Sequence, residues 1–130
     1  MVANVDTGVD YTHPALVRQY RGNLGGGTFD HNYNWWDADA GIPYPYDPDS
    51  HGTHTMGTQV GEDATQTNQI GVAPGAKWIA ALGCCPDNDA LLSSEQFMIA
   101  PWDLNGQNPD PSKRPHVVSN SWGGPGGSLI

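Results

Sequence analysis

Cysteine and positive charge are what this chain has least of. Its 130 residues include two cysteines, Cys84 and Cys85, and they are neighbours. Adjacent thiols cannot tie distant segments together, so no disulfide framework is expected and the pair reads as structural or incidental thiols. Five Lys and Arg stand against 14 Asp and Glu, a formal charge of -9. Such a surface repels phosphate backbones, which argues against nucleic acid as a partner; cationic ligands, calcium among them, fit better. No apolar run approaches the roughly 20 residues of a membrane helix, so no membrane partner is expected. No basic and apolar leader precedes Met1-Val2-Ala3-Asn4-Val5, which reads as a strand already under way. The chain stops in a glycine-rich turn from Gly123 to Ser128, and both ends are expected to be cuts from something longer.

What the chain has in quantity is glycine and proline, 17 and 11 residues, with 37% hydrophobic positions. That composition favours turns and short elements, and the length suffices for one core. Val2 to Val5 is a candidate buried parallel strand, which would put Asp6 at its carboxyl end, the edge where open α/β sheets build their sites. An Asx-turn cap is the equally weighted alternative for Asp6. His13-Pro14-Ala15-Leu16-Val17 predicts a helical turn with a polar exit through Arg18, Gln19 and Arg21.

Residues 22–48 predict a long surface loop or a pair of short strands. Trp35 and Trp36 within it either line a groove or pin the loop to the body. The polar stretch from Gly61 to Gln69 predicts a solvated loop holding Glu62 and Asp63. Ala76 to Gly83 predicts a second buried strand, Ser93-Ser94-Glu95-Gln96 a capped helix start before Pro101, and His116 to Ser121 a third strand. Alternating strand and helix signals predict an α/β fold, a parallel sheet with helices on both faces.

The chemistry centres on Asp49-Ser50-His51-Gly52-Thr53-His54-Thr55-Met56-Gly57-Thr58. Glycine and threonine are costly in an exposed helix, so the run predicts a buried helix in close contact with its neighbours. An imidazole at its start would feel the positive end of the helix dipole, which favours the neutral ring. A carboxylate against the other ring nitrogen would fix the tautomer, and Asp6 is the candidate. A metal site on His51 and His54 is an alternative reading, but it lacks the Glu beside the first His that a metalloprotease uses as base.

Four segments now bear on function together: Asp6-Thr7-Gly8-Val9-Asp10, His51-Gly52-Thr53-His54-Thr55-Met56-Gly57-Thr58, Gly71-Val72-Ala73-Pro74 and Ser119-Asn120-Ser121-Trp122-Gly123. In this order they resemble the successive signatures of the subtilisin-like serine proteases, peptidase S8. The His31-Asn32-Tyr33-Asn34-Trp35 loop and the Asn120-Ser121-Trp122-Gly123 variant most resemble the bacillopeptidase F-like secreted members.

The resemblance implies an incomplete subtilisin-like three-layer α/β/α fold, with residues 1–130 as the N-terminal half of a peptidase domain. It implies a serine-type endopeptidase in which Asp6 orients the ring, His51 is the general acid/base and His54 is structural. The order Asp, His, Ser is the family's own. Ser121, Trp122 and Gly123 match the segment that pairs with an extended peptide substrate. The family's Gly-Thr-Ser nucleophile motif and its oxyanion asparagine have no counterpart here, and neither Ser112 nor Ser128 substitutes for the nucleophile. The 130 residues alone are therefore expected to be inactive and to fold poorly, with a non-catalytic pseudoprotease or peptide-binding module as the alternative.

The resemblance further implies protein or peptide substrates, a propeptide in the precursor and secretion. No cofactor is required and no metal is assigned a ligand. A structural calcium is possible in the full domain, but Ala15 stands where many relatives place a ligating aspartate after the His-Pro pair. Glu62 and Asp63 are better read as a solvated acidic loop than as ligands.

Overall fold

The computed structural model describes residues 1–124. Ser128 and the end of the glycine-rich turn lie outside them. In chain order the elements are β1 (Val2–Asp6), β2 (Asn23–Gly25), β3 (Thr28–Phe29), β4 (Trp35–Asp37), α1 (His51–Val60), β5 (Trp78–Leu82), α2 (Asn88–Ile99) and β6 (Val117–Ser119). Strands β4, β5, β1 and β6 form one parallel sheet in that order, while β2 and β3 form a small antiparallel hairpin.

The two central strands explain the layering. All five residues of β5 are buried, as expected of a strand covered on both faces. Its alternate side chains divide between two cores. Trp78, Ala80 and Leu82 join Met56 and Val60 of α1 with Leu16, Tyr20 and Trp35 on one face. Ile79 and Ala81 join Ala3 and Val5 of β1 with Phe97 and Met98 of α2 on the other. Helix, sheet and helix make the three layers, and the fold is the α/β arrangement expected.

Four expectations about elements and polar groups change in detail, and so does one about the cysteines. Residues 22–48 do more than cover the surface, because Trp35–Asp37 joins the main sheet as an edge strand beside β5. Trp35 is fully buried and Trp36 donates its indole N–H to Ser93 Oγ at 2.9 Å, so both pin this segment to the body. Helix α2 begins at Asn88, where Asp87 accepts from the Ala90 amide at 2.8 Å, and Ser93 and Ser94 lie within it. A cap is chosen where the chain turns into the helix, and Asp87 supplies the free acceptor there.

The remaining two are burials of polar groups. Gln19, read as part of a polar exit, is buried, and its amide nitrogen reaches the carbonyls of Ala15, Val60 and Glu62 at 2.8, 2.8 and 3.1 Å. Glu62 is buried too, paired with Arg18 at 3.1 Å rather than solvated. Cys84 and Cys85 are not thiols either, being joined to each other in a disulfide.

Candidate active site

Two bare backbone positions let the end of β1 meet the start of α1. Gly8 turns the chain after β1 with φ of +107°, and a Cβ there would lie 1.9 Å from the Tyr46 carbonyl oxygen. Gly52, in the first turn of α1, would place a Cβ 2.0 Å from the Gly8 oxygen and 3.1 Å from Asp6 Cβ. Only hydrogen at both positions permits this approach. It carries His51 to the carboxyl end of β1, where Asp6 sits.

Asp6 is fully buried, and each of its carboxylate oxygens is engaged. Oδ1 accepts from the Thr7 amide at 2.7 Å and lies 2.7 Å from His51 Nδ1. Oδ2 accepts from Thr55 Oγ1 at 3.2 Å. A carboxylate has only acceptors, so Nδ1 of His51 carries the hydrogen and Nε2 is left with its lone pair in the neutral ring. The His51 side chain is 49% exposed. Among the described residues Nε2 has no hydrogen-bond partner. The arrangement can therefore take up a proton at Nε2 and stabilise the resulting cation from the opposite side of the ring.

Asp47 organises the backbone around this contact. Its Oδ1 accepts from Thr7 Oγ1 at 2.8 Å and from the amides of Asp49 and Ser50 at 3.1 and 2.9 Å. Its Oδ2 accepts from the amide and hydroxyl of Thr53 at 2.8 and 2.6 Å. The Gly52 amide in turn donates to Thr7 Oγ1 at 2.9 Å. Ser50, the residue before the helix, has φ of 78° and makes no side-chain cap, so Asp47 serves the exposed amides in its place. Burial pushes the Asp47 carboxyl up, but hydrogen bonds from the Thr53 hydroxyl and amide, the Thr7 hydroxyl and the Asp49 amide outweigh it and hold it below its ordinary range.

The His51 imidazole is pushed above its usual 6.5, first by the hydrogen bond to Asp6 and then by that carboxylate's charge, with Asp49 and Asp47 adding to the effect and desolvation opposing it. The carboxylate's full charge in contact acts against the preference for the neutral ring expected from the helix start. A raised imidazole pKa stabilises the fold while the ring is protonated, and that contribution fades as pH rises through the folded pKa. The base-competent neutral ring is present only above it. An NMR titration of the His51 ring protons is expected to give a midpoint above 6.5; a midpoint at or below that would contradict the contact.

The structure brings Asp6 and His51 together but leaves the other named residues apart from them. Pairing of β6 with β1 ends at Ser119, opposite Asn4. Beyond it, Ser121 Oγ lies 3.0 Å from Ser119 Oγ, and Ser121 and Gly123 are exposed. Trp122 donates its indole N–H to the Val5 carbonyl at 2.7 Å and packs against the α2-side core. Among the described residues, no three His, Cys, Asp or Glu side chains converge to hold a metal ion. No helix there is long and apolar enough to cross a membrane.

Asn4, Asp47 and Thr55 also hold the site together. An asparagine inside an otherwise apolar strand was a readable signal for Asn4. Asp47 and Thr55 gave none, since both lie in runs of similar polar residues.

The family model described as "Subtilase family" matches residues 1–129. The chain is 48% identical over 132 residues to Bacillopeptidase F of Bacillus subtilis (strain 168), covering 98% of this chain and 9% of that protein. It is 35% identical over 92 residues to the Thermophilic serine proteinase of Bacillus sp. (strain AK1), covering 71% of this chain and 20% of that protein. The chain thus spans only a small part of the curated relatives it matches. No solved structure matches it.

Proposed function

The chain belongs to the subtilase family, and from that premise we propose that Asp6 and His51 are two members of the Asp-His-Ser triad of a serine endopeptidase. His51 Nε2 takes the proton of an attacking serine hydroxyl and later returns it to the leaving amine; Asp6 holds the tautomer and stabilises the imidazolium. The serine belongs to sequence outside these 130 residues in the parent protein. Substrates are proteins or peptides, bound extended against Ser121, Trp122 and Gly123 by backbone pairing. Secretion and a propeptide in the precursor belong to the same proposal and rest on the family alone.

The chemistry needs no metal or cofactor. At the calcium position implied by the family, Ala15 offers only its carbonyl, which already accepts from Gln19 Nε2 at 2.8 Å and the Glu62 amide at 3.0 Å. Glu62 is committed to Arg18, and Asp63 to Thr65, Thr67 and Asn68. These residues do not fit a calcium ion there.

The observation that supports the proposal most is the 2.7 Å contact between Asp6 Oδ1 and His51 Nδ1, with Nε2 turned away from it on a half-exposed ring. Triad members act as a unit, so the 130 residues alone are expected to hydrolyse no peptide, whereas the parent protein is labelled by a serine-directed phosphonate and loses activity with labelling. Phosphonate-sensitive hydrolysis by the pure 130-residue chain would refute the division of labour. A parent that binds peptides without cleaving them, and has no reactive serine, would favour the non-catalytic alternative.

A further inference from the structure

We propose that Thr55, aimed by Asn4, is a positioning residue of the Asp6 and His51 pair: its hydroxyl holds the second carboxylate oxygen and so sets the rotation of Asp6 and its strength as the partner of His51. The functional meaning rests on the peptidase proposal above, while the hydrogen bonds and their test do not.

The chain of donors runs one way. Asn4 Nδ2 donates to the Gly52 carbonyl at 3.0 Å and to Thr55 Oγ1 at 3.1 Å. Thr55 Oγ1 lies 3.0 Å from that same carbonyl and 3.2 Å from Asp6 Oδ2. The hydroxyl has one hydrogen to give. The Gly52 oxygen is already served by Asn4, and Asp6 is the charged acceptor, so the hydrogen goes to Asp6. Asn4 is fully buried, on a strand whose neighbours Ala3 and Val5 are apolar, and among the described residues its Oδ1 has no partner. An amide whose oxygen goes unserved is held there by what its nitrogen does. Both of its hydrogens point into this network.

A hydroxyl dipole with its positive end on Asp6 weakens the field that the carboxylate exerts on the ring. Removing it strengthens that field, so the His51 titration midpoint rises. The charged groups bearing on His51 are Asp6 from β1 and Asp47 and Asp49 from the loop before α1, and the substitutions alter none of them. The competing role for Thr55 is a back-bond to the Gly52 carbonyl within its own helix, which would leave the midpoint where it is.

The test is NMR titration of the His51 ring, histidine-labelled, in the intact peptidase domain of the parent protein, a readout that needs no substrate. Thr55→Val is expected to move the midpoint up by about half a pH unit or more, and Thr55→Ser to return it to the wild-type value. Because Thr55→Val strands an Asn4 N–H in the interior, the double variant Asn4→Val/Thr55→Val, which restores an apolar pair, is titrated beside it and is expected to show the same rise. An unchanged or lowered midpoint in either folded valine variant overturns the proposal. A parent protein without a phosphonate-reactive serine would remove the catalytic meaning and leave the titration to decide the hydrogen bond.

Discussion

Gly52→Ala is expected to destabilise the fold by about 2 kcal/mol or more, although alanine is the better helix former. Propensity alone favours the substitution by roughly 1 kcal/mol. Packing decides the other way, because the new methyl would lie 2.0 Å from the Gly8 carbonyl oxygen and 3.1 Å from Asp6 Cβ. Neither is the far end of a flexible side chain. Gly8 cannot yield easily either, since a Cβ there would already be 1.9 Å from the Tyr46 oxygen, so the turn is wedged from its far side. Overpacking of this kind costs roughly 1–3 kcal/mol and sometimes more, and backbone against backbone belongs at the upper end.

The relief available is for the first turn of α1 to lift off β1, which lengthens the contact between Asp6 and His51. The His51 midpoint is therefore expected to fall toward 6.5 as stability falls. Gly57 supplies the control: it lies in the same helix, and a Cβ there meets nothing within 4 Å. Gly57→Ala is expected to be neutral or stabilising. Urea denaturation of the two variants checks the pair, and a midpoint for Gly52→Ala at or above the wild-type value would rule out the wedge.

Asp6→Asn in the parent protein is expected to lower kcat by roughly 10⁴-fold with KM little changed, a magnitude carried over from serine-protease triads in general rather than obtained from this geometry. Three donors converge on the Asp6 carboxylate: the Thr7 amide, the His51 ring and the Thr55 hydroxyl. An ionised carboxylate meets all three as an acceptor. An asparagine amide must turn its NH2 toward one of them. The Thr7 amide can only donate, so the asparagine oxygen stays between Thr7 and His51 and the NH2 takes the Thr55 side, where the hydroxyl can accept; what is lost is the negative charge that stabilises the imidazolium. The same loss of charge weakens the hydrogen-bond cause of the raised imidazole pKa and removes the coulombic one, so the His51 midpoint should fall in the same variant. Steady-state kinetics of the purified parent would check it, and near wild-type kcat would exclude Asp6 as a triad member.

Much of the frame was legible in the residues themselves. The strands at Val2–Asp6 and Trp78–Leu82 follow from short β-branched or fully apolar runs. The helix beginning at His51 follows only in part from its glycine and threonine run: Gly52, Met56 and Val60 are buried as that run predicts, while His51, His54 and Thr58 are exposed. Asp6 and His51 were named as a pair because a strand end and a helix start carry complementary chemistry, and because their flanking residues match a family.

Other features depended on contacts the local pattern does not encode. Trp35–Asp37 was readable as loop because its sheet partner, β5, is more than 40 residues further on. Glu62 was readable as solvated until Arg18 came to lie beside it. The helix start at Asn88 required knowing that Asp87, not Ser93, sits at the turn. Asp47 serves Thr7 across 40 positions, and Asn4 serves Thr55 across 51.

The sequence by itself determined the identity of the elements and the chemical types at the site, since periodicity and side-chain chemistry are local properties. Only the tertiary structure decided how closely α1 approaches β1, which buried polar groups find partners and which hydrogen bonds hold the second oxygen of Asp6. Those depend on distances between residues far apart in the chain, and such distances exist only once the backbone is packed.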